Sequence, residues 1–280
     1  MILAKGHRSL LAYFANKFRK VYLEKKGIKM KKASCHLGLL LVAVVFLQIV
    51  LLSFGQESLS ADQQWANNKT YLADLSNKLN KRHPNNPIVN IICIGNSVPA
   101  GFTKTPLIDP FSAYPHLLHR RLKQKYPYAI LNVIVSARGS ETSIGGMARF
   151  PGDVLLFAPD LITIDYGLTD RVMSLRKSKI NLGAMIGLAK KRGIKVLLLT
   201  PTHAIKVDIN DPNDPLNQQA EQIRNLAKEN KVGLVDSYAA FQRYIQGGGK
   251  LEDLLANKIN HPNQKGHELV TNELLKWFPK

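Results

Sequence analysis

The sequence predicts a doubly wound α/β domain, a three-layer parallel sheet covered by helices on both faces, preceded by a single membrane-directed helix. Three observations carry this. From residue 88 onward, short runs of Ile, Val and Leu alternate with helical patterns. Those runs are apolar at nearly every position rather than at every second one, which is how strands buried on both faces read. Upstream, residues 37–54 (LGLLLVAVVFLQIVLLSF) carry no charge, and about 18 residues is close to the minimum that crosses a hydrocarbon core.

Taken in order, the first element is a basic arm. The 280-residue chain has 39 Lys and Arg against 20 Asp and Glu, a net charge of +19, and residues 1–36 hold ten of the cations against Glu24 alone. Cations beside an apolar span stay on the cytoplasmic side. Residues 1–36 are therefore expected inside, 37–54 as a signal anchor or as the apolar region of a signal peptide, and everything beyond residue 55 outside the cytoplasm. Met30-Lys31-Lys32 leads into the apolar run as a signal peptide's own start would, so Met1 and Met30 both stand as starts. Ser53 and Gly55 offer a cleavage site, while the length of the apolar run and of the arm favours an uncleaved anchor.

Residues 55–86 read as a stalk or linker, or as a helix packed on the domain, with an amphipathic stretch whose apolar face is Trp65, Leu72, Leu75 and Leu79. Residues 87–280 form the domain, expected as a monomer. Its strands are predicted over 88–94, 130–135, 161–166, 194–200 and 233–236. Between and after them lie a helix over 113–125, a segment through 157, and helices over 180–191, 215–229 and 237–244, with a last helix following residue 261. Right-handed crossovers make such a sheet parallel and gather reacting groups beyond the carboxyl ends of its strands.

Composition removes several function classes. Cys35 and Cys93 are the two cysteines, and no disulfide framework follows from them. CxxC and HExxH spacings, Walker loops and GxGxxG are absent, so neither a metal nor another cofactor is expected. Gly247-Gly248-Gly249 reads as a flexible turn. Nucleic acid is not an expected partner, because about half of the excess charge sits in the arm, where anionic lipid headgroups suit it better.

The first strand runs into Gly95-Asn96-Ser97-Val98-Pro99-Ala100-Gly101, which sets a serine in a tight turn at the sheet's carboxyl edge. Serine after a strand is by itself an ordinary helix cap. Three further segments at strand ends change the reading: Ala137-Arg138-Gly139-Ser140-Glu141-Thr142, Tyr166-Gly167-Leu168-Thr169-Asp170, and Asn260-His261-Pro262-Asn263-Gln264-Lys265-Gly266-His267. From residue 88 to the end the chain resembles the SGNH, or GDSL-type, ester hydrolases, whose four blocks these segments follow in order.

The resemblance implies a flavodoxin-like fold and acyl transfer through an acyl-enzyme. Ser97 is the implied nucleophile and His261 its base, since a serine hydroxyl attacks only when an imidazole takes its proton. The implied oxyanion hole comprises the N–H groups of Ser97 and Gly139, with Ser140 in place of Gly139 under a one-residue shift, and Thr169, which stands where the family has asparagine. The family's histidine-orienting aspartate falls on Lys258 or Asn257; the Asn257 side-chain carbonyl or a backbone carbonyl is the candidate acceptor, with Asp253 a substitute if its loop folds back. Asp170 is expected to hold loops and His267 to pack. His203 is a solvated loop residue or lines the substrate site, and Arg138 and Arg171 are solvated or bind an anionic substrate. The expected substrate is an acylated, most simply acetylated, carbohydrate or envelope glycan. A lipid ester is the rival within the same chemistry, and a non-turnover glycan-binding or assembly module is the rival outside it.

Overall fold

The computed structural model describes residues 66–209 and 211–278. The basic arm, the apolar segment 37–54, Met30, Cys35 and Trp65 lie outside the described residues. Among the described residues no helix is long and apolar enough to cross a membrane.

Strands β1 (Ile88–Gly95), β2 (Ile130–Ala137), β3 (Leu161–Asp165), β4 (Lys195–Leu199) and β5 (Gly233–Val235) form one sheet in the order β2-β1-β3-β4-β5. Every pairing is parallel. The chain steps outward from β1 to the edge strand β2, then crosses back over β1 to β3. That reversal opens a crevice beyond the carboxyl ends of β1 and β3, the usual place for a ligand in such sheets.

Alternate side chains of each strand enter opposite layers. Val89, Ile91 and Cys93 of β1 join one apolar cluster, and Ile92 and Ile94 join the other. The first layer holds α1 (Ala73–Asn80), α3 (Tyr114–Lys125), α8 (Ser237–Gln246) and α9 (Gln264–Leu275), through Leu75, Leu118, Phe241 and Val270 among others. The second holds α4 (Ser143–Asp153), α6 (Leu175–Lys190) and much of α7 (Pro215–Asn230), through Phe150, Met185 and Ile223. Two short helices, α2 (Ser97–Ala100) and α5 (Gly167–Asp170), sit at the ends of β1 and β3. Each fully buried aliphatic side chain is worth roughly 1.5–3 kcal/mol of transfer free energy.

Leu72, Leu75 and Leu79 are buried in the first cluster, so the segment ahead of β1 packs on the domain from residue 72, the second of its two readings. Helix starts follow local chemistry. Asp214 accepts the Leu216 N–H ahead of Pro215 at the first turn of α7. Helix α6 begins at Leu175, five residues before apolar periodicity suggests, because the Ser174 hydroxyl accepts the Lys177 N–H and the polar Arg176-Lys177-Ser178 turn hides the start.

Candidate active site

The turn that carries Ser97 is built by close approach. At Gly95 a Cβ would lie 2.4 Å from the Asp165 carbonyl oxygen, so only glycine lets β1 leave the sheet there. Asn96 then caps α2, its Oδ1 accepting the Val98 N–H at 2.9 Å. These contacts fix Ser97, 6% exposed, at the carboxyl edge.

His261 arrives from a loop pinned at several points. The Ala256 N–H donates to the His261 carbonyl at 2.8 Å, and Leu255 bridges Pro262 antiparallel. The ring, in a residue 9% exposed, places Nε2 3.1 Å from Ser97 Oγ and Nδ1 2.9 Å from the Thr103 carbonyl oxygen. A carbonyl oxygen only accepts, so Nδ1 carries the proton and Nε2 is left with a lone pair toward the serine hydroxyl. That is the tautomer a general base needs.

The histidine's second partner is the backbone alternative and not the Asn257 side chain. Asn257 does not reach the ring: its Oδ1 accepts the N–H groups of Ile259, Asn260 and His261 at 2.9, 2.9 and 3.0 Å, and its Nδ2 donates to Asn260 Oδ1. It organises the loop backbone, and the turn it closes holds Lys258 at a φ of 56°. Asp253 is likewise not the ring's partner, since Nδ1 faces Thr103. The Thr103 peptide is held by a small hairpin, in which its N–H donates to the Leu107 carbonyl at 3.0 Å and Phe102 bridges Ile108.

Across the crevice, the Arg138 N–H donates to the Gly95 carbonyl at 3.1 Å, so the 138–141 turn lies against the turn that carries Ser97. Among the described residues, the N–H groups of Ser97, Gly139 and Ser140 have no acceptor. Unengaged donors of this kind are what a developing oxyanion requires. At Gly139 a Cβ would meet the Phe102 ring at 2.7 Å, and the Phe102 centroid lies 5.9 Å from that of His261. Phe102 therefore lies between the turn and the His261 ring. Ser140 has a φ of 60°, the left-handed conformation that favours glycine.

Thr169 is not placed as a free third donor. Its hydroxyl has one hydrogen, and the Glu141 and Tyr166 carbonyls lie 2.7 and 3.0 Å from Oγ1, which also accepts from Asn96 Nδ2 at 3.3 Å. Asp170 is buried and ties loops together: its carboxylate accepts the Ser143 N–H at 2.8 Å and the Ser178 hydroxyl at 2.7 Å.

His203, one of whose readings was a solvated loop residue, is buried and stacked on Tyr238 at 5.1 Å; burial lowers its pKa. His267 is buried beside Tyr114, and burial pushes it down to about 3, so it stays neutral. Arg138 is exposed and paired with Asp153 at 3.0 Å, and Arg171 is half-buried. Burial pushes the Cys93 thiol up to about 12, which leaves it inert. Among the described residues no group of three His, Cys, Asp or Glu side chains is placed to hold a metal ion.

Residues 93–269 match the family described as GDSL-like lipase/acylhydrolase. The chain belongs to that family. The span runs from Cys93, four residues ahead of Ser97, to Leu269, eight beyond His261, so this GDSL-like domain carries both within the match. It is 30% identical over 112 residues to esterase TesA of Pseudomonas aeruginosa, covering 39% of this chain and 52% of that one. The chain thus matches about half the length of that curated relative. In fold it is similar to the acetylxylan esterase Axe2 of Geobacillus stearothermophilus, at 20% identity with a TM-score of 0.60. It is also similar to LAE5, an alpha/beta hydrolase from the metagenome of Lake Arreo, at 22% identity with a TM-score of 0.60. Each comparison covers 68% of this chain and 94% of the other.

Proposed function

We propose that this chain is a serine ester hydrolase acting through Ser97 and His261. One observation carries the reading: His261 accepts from Ser97 at 3.1 Å while its other nitrogen is bound to a group that can only accept. Ser97 Oγ attacks the ester carbonyl carbon and its proton passes to Nε2. The carbonyl electron pair moves to oxygen, facing the N–H groups of Ser97 and of Gly139 or Ser140. As the carbonyl re-forms, the alcohol leaves with the proton from Nε2. A water then repeats the sequence on the acyl-enzyme and frees Ser97.

Thr103 explains how this chemistry proceeds without an aspartate. Replacing a triad aspartate by asparagine costs about ten-thousandfold because the amide imposes the wrong imidazole tautomer. A backbone carbonyl imposes the right one. What it lacks is the negative charge that steadies the imidazolium.

For the substrate we favour an acetyl or similar acyl ester on a carbohydrate of the cell envelope, supported by fold similarity to a protein named as an acetylxylan esterase. A lipid ester is the second reading, favoured by Leu107 and Ile108, 65% and 52% exposed on the hairpin that carries Thr103. We place the domain outside the cytoplasm, periplasmic or extracellular, held by residues 37–54 with the basic arm inside, on the charge distribution alone, and take it as a monomer; a domain that protease spares once the outer envelope is opened and the inner membrane kept intact would contradict this. The activity is tested on the purified full chain with p-nitrophenyl acetate, acetylated xylo-oligosaccharide and p-nitrophenyl palmitate, comparing Ser97→Ala and His261→Ala. Equal rates in all three proteins would leave a non-turnover binding module as the better reading.

A further inference from the structure

The 138–141 turn is held by a device that the reaction scheme does not use. Glu141 and Arg149 on α4 are nearly enclosed, with side chains 11% and 10% exposed. Arg149 Nε donates to the two Glu141 oxygens at 2.8 and 3.1 Å, and Nη2 donates to Oε2 at 2.5 Å. The Tyr166 hydroxyl donates to the same oxygen at 2.8 Å. Arg149 also binds β2, with Nη1 donating to Ser136 Oγ at 2.5 Å and Nη2 to the Ser136 carbonyl at 2.8 Å. The Glu141 peptide is fixed as well, its carbonyl accepting the Thr169 hydroxyl.

A buried ion pair is a weak way to add stability, because desolvation offsets most of the attraction. It is a good way to fix geometry. The turn is tied at its near end by Arg138 to β1 and at its far end by Glu141, and between the ties lie two free N–H groups. One of the two residues, Ser140, sits at a positive φ, a conformation costing about 1–3 kcal/mol that persists only where the surroundings enforce it. Burial works against the Arg149 charge, yet the bond to Glu141 and the neighbouring Tyr166, Glu141 and Asp153 hold its pKa above the ordinary value. Burial, then Glu141, raises the Tyr166 phenol, so it remains a donor.

We propose that Arg149, Glu141 and Tyr166 are positioning residues for the oxyanion site, clamping the Gly139 and Ser140 N–H groups in place where Thr169 provides no free donor. The proposal rests on the esterase reading above. An oxyanion donor is worth about a hundredfold to a thousandfold in rate, and a loosened one forfeits part of that. Substrate binding, made before the oxyanion exists, is spared.

The test uses the purified full chain with Arg149→Lys, Arg149→Met, Glu141→Gln and the double variant Glu141→Gln/Arg149→Met. The double variant leaves no unpaired buried charge, and its melting temperature reports whether it folds. Two quantities are read: kcat and KM for p-nitrophenyl acetate, and inhibition by an alkyl trifluoromethyl ketone. Ser97 Oγ adds to that ketone carbon, the proton goes to His261, and the oxyanion stays in the site with nothing leaving. The expected result for Arg149→Met is a kcat about 30-fold lower with KM within about threefold. Ketone binding should weaken by the same factor, and the double variant should lose no more than the single. A folded double variant with wild-type kcat and ketone affinity would overturn the clamp while leaving the esterase reading intact. A wild type whose hydrolysis does not depend on Ser97 would take both down.

Discussion

On one side of the crevice, the loops that carry Ser97 and His261 are fixed by peptide groups and neutral amides: Asn96 caps one, Asn257 gathers three N–H groups of the other, and a carbonyl holds the imidazole. On the other side, the 138–141 turn is fixed by an enclosed ion pair between Glu141 and Arg149. Neutral bonds are forgiving of small displacements and indifferent to salt. A buried ion pair is costly to break from one end, because the remaining charge is stranded. The nucleophile side is therefore expected to tolerate substitution of its supporting residues, and the oxyanion side to respond steeply.

The largest effects mark the limit of this contrast. Ser97→Ala and His261→Ala should each lower kcat by about a thousandfold or more, and together no further, because they act as one unit; additive losses in the double variant would separate their roles.

Next in size is the group beneath both sides. Asp165 ends β3, pairs with Gly95 and is wholly enclosed, and burial pushes its carboxyl up to about 7, the neighbouring Tyr114 hydroxyl only partly offsetting this. In the unfolded chain an aspartate titrates near 3.9, so between about pH 4 and 7 the folded protein holds a proton that the unfolded one has lost. The stability from this group is complete below about pH 4 and is lost as pH rises through 7, on the order of 4 kcal/mol in all. Denaturant midpoints should fall between about pH 4 and 7 in the wild type and much less in Asp165→Asn. Matching slopes in the two proteins would assign the pH dependence elsewhere.

Thr169→Val comes third. It removes the bond to the Glu141 carbonyl without emptying space, and kcat should fall about tenfold. A loss beyond about a hundredfold would make Thr169 a direct oxyanion donor. Asn257→Asp is smallest, with activity within about threefold, since the carboxylate keeps the three N–H bonds and still faces away from the ring. A large gain in kcat would mean that the ring turns toward residue 257.

How much was legible follows the same division. The strands were readable because enclosure on both faces demands unbroken apolar runs such as Ile91-Ile92-Cys93-Ile94. Ser97 and His261 were nominated by motif, and the geometry brings them together. That a backbone carbonyl could hold the ring was readable, but that Thr103 supplies it was not, because every residue type carries that group. Arg149 lies mid-helix in no motif, and only the folding of α4 beside β2 shows its partners. Asn257 misled because its spacing from His261 suited a ring acceptor, while an asparagine in a tight turn binds the nearer backbone first.

A last consequence follows from the hairpin that bears Thr103. A triad aspartate anchors its histidine to the protein interior; here the imidazole is moored to a peptide in a strip whose tip, Leu107 and Ile108, faces solvent. Proton transfer is then only as steady as that strip. Warming should unmoor the ring while the sheet remains folded, so that reversible loss of turnover precedes the melting transition, and anything that grips the hairpin from outside would be felt at Ser97.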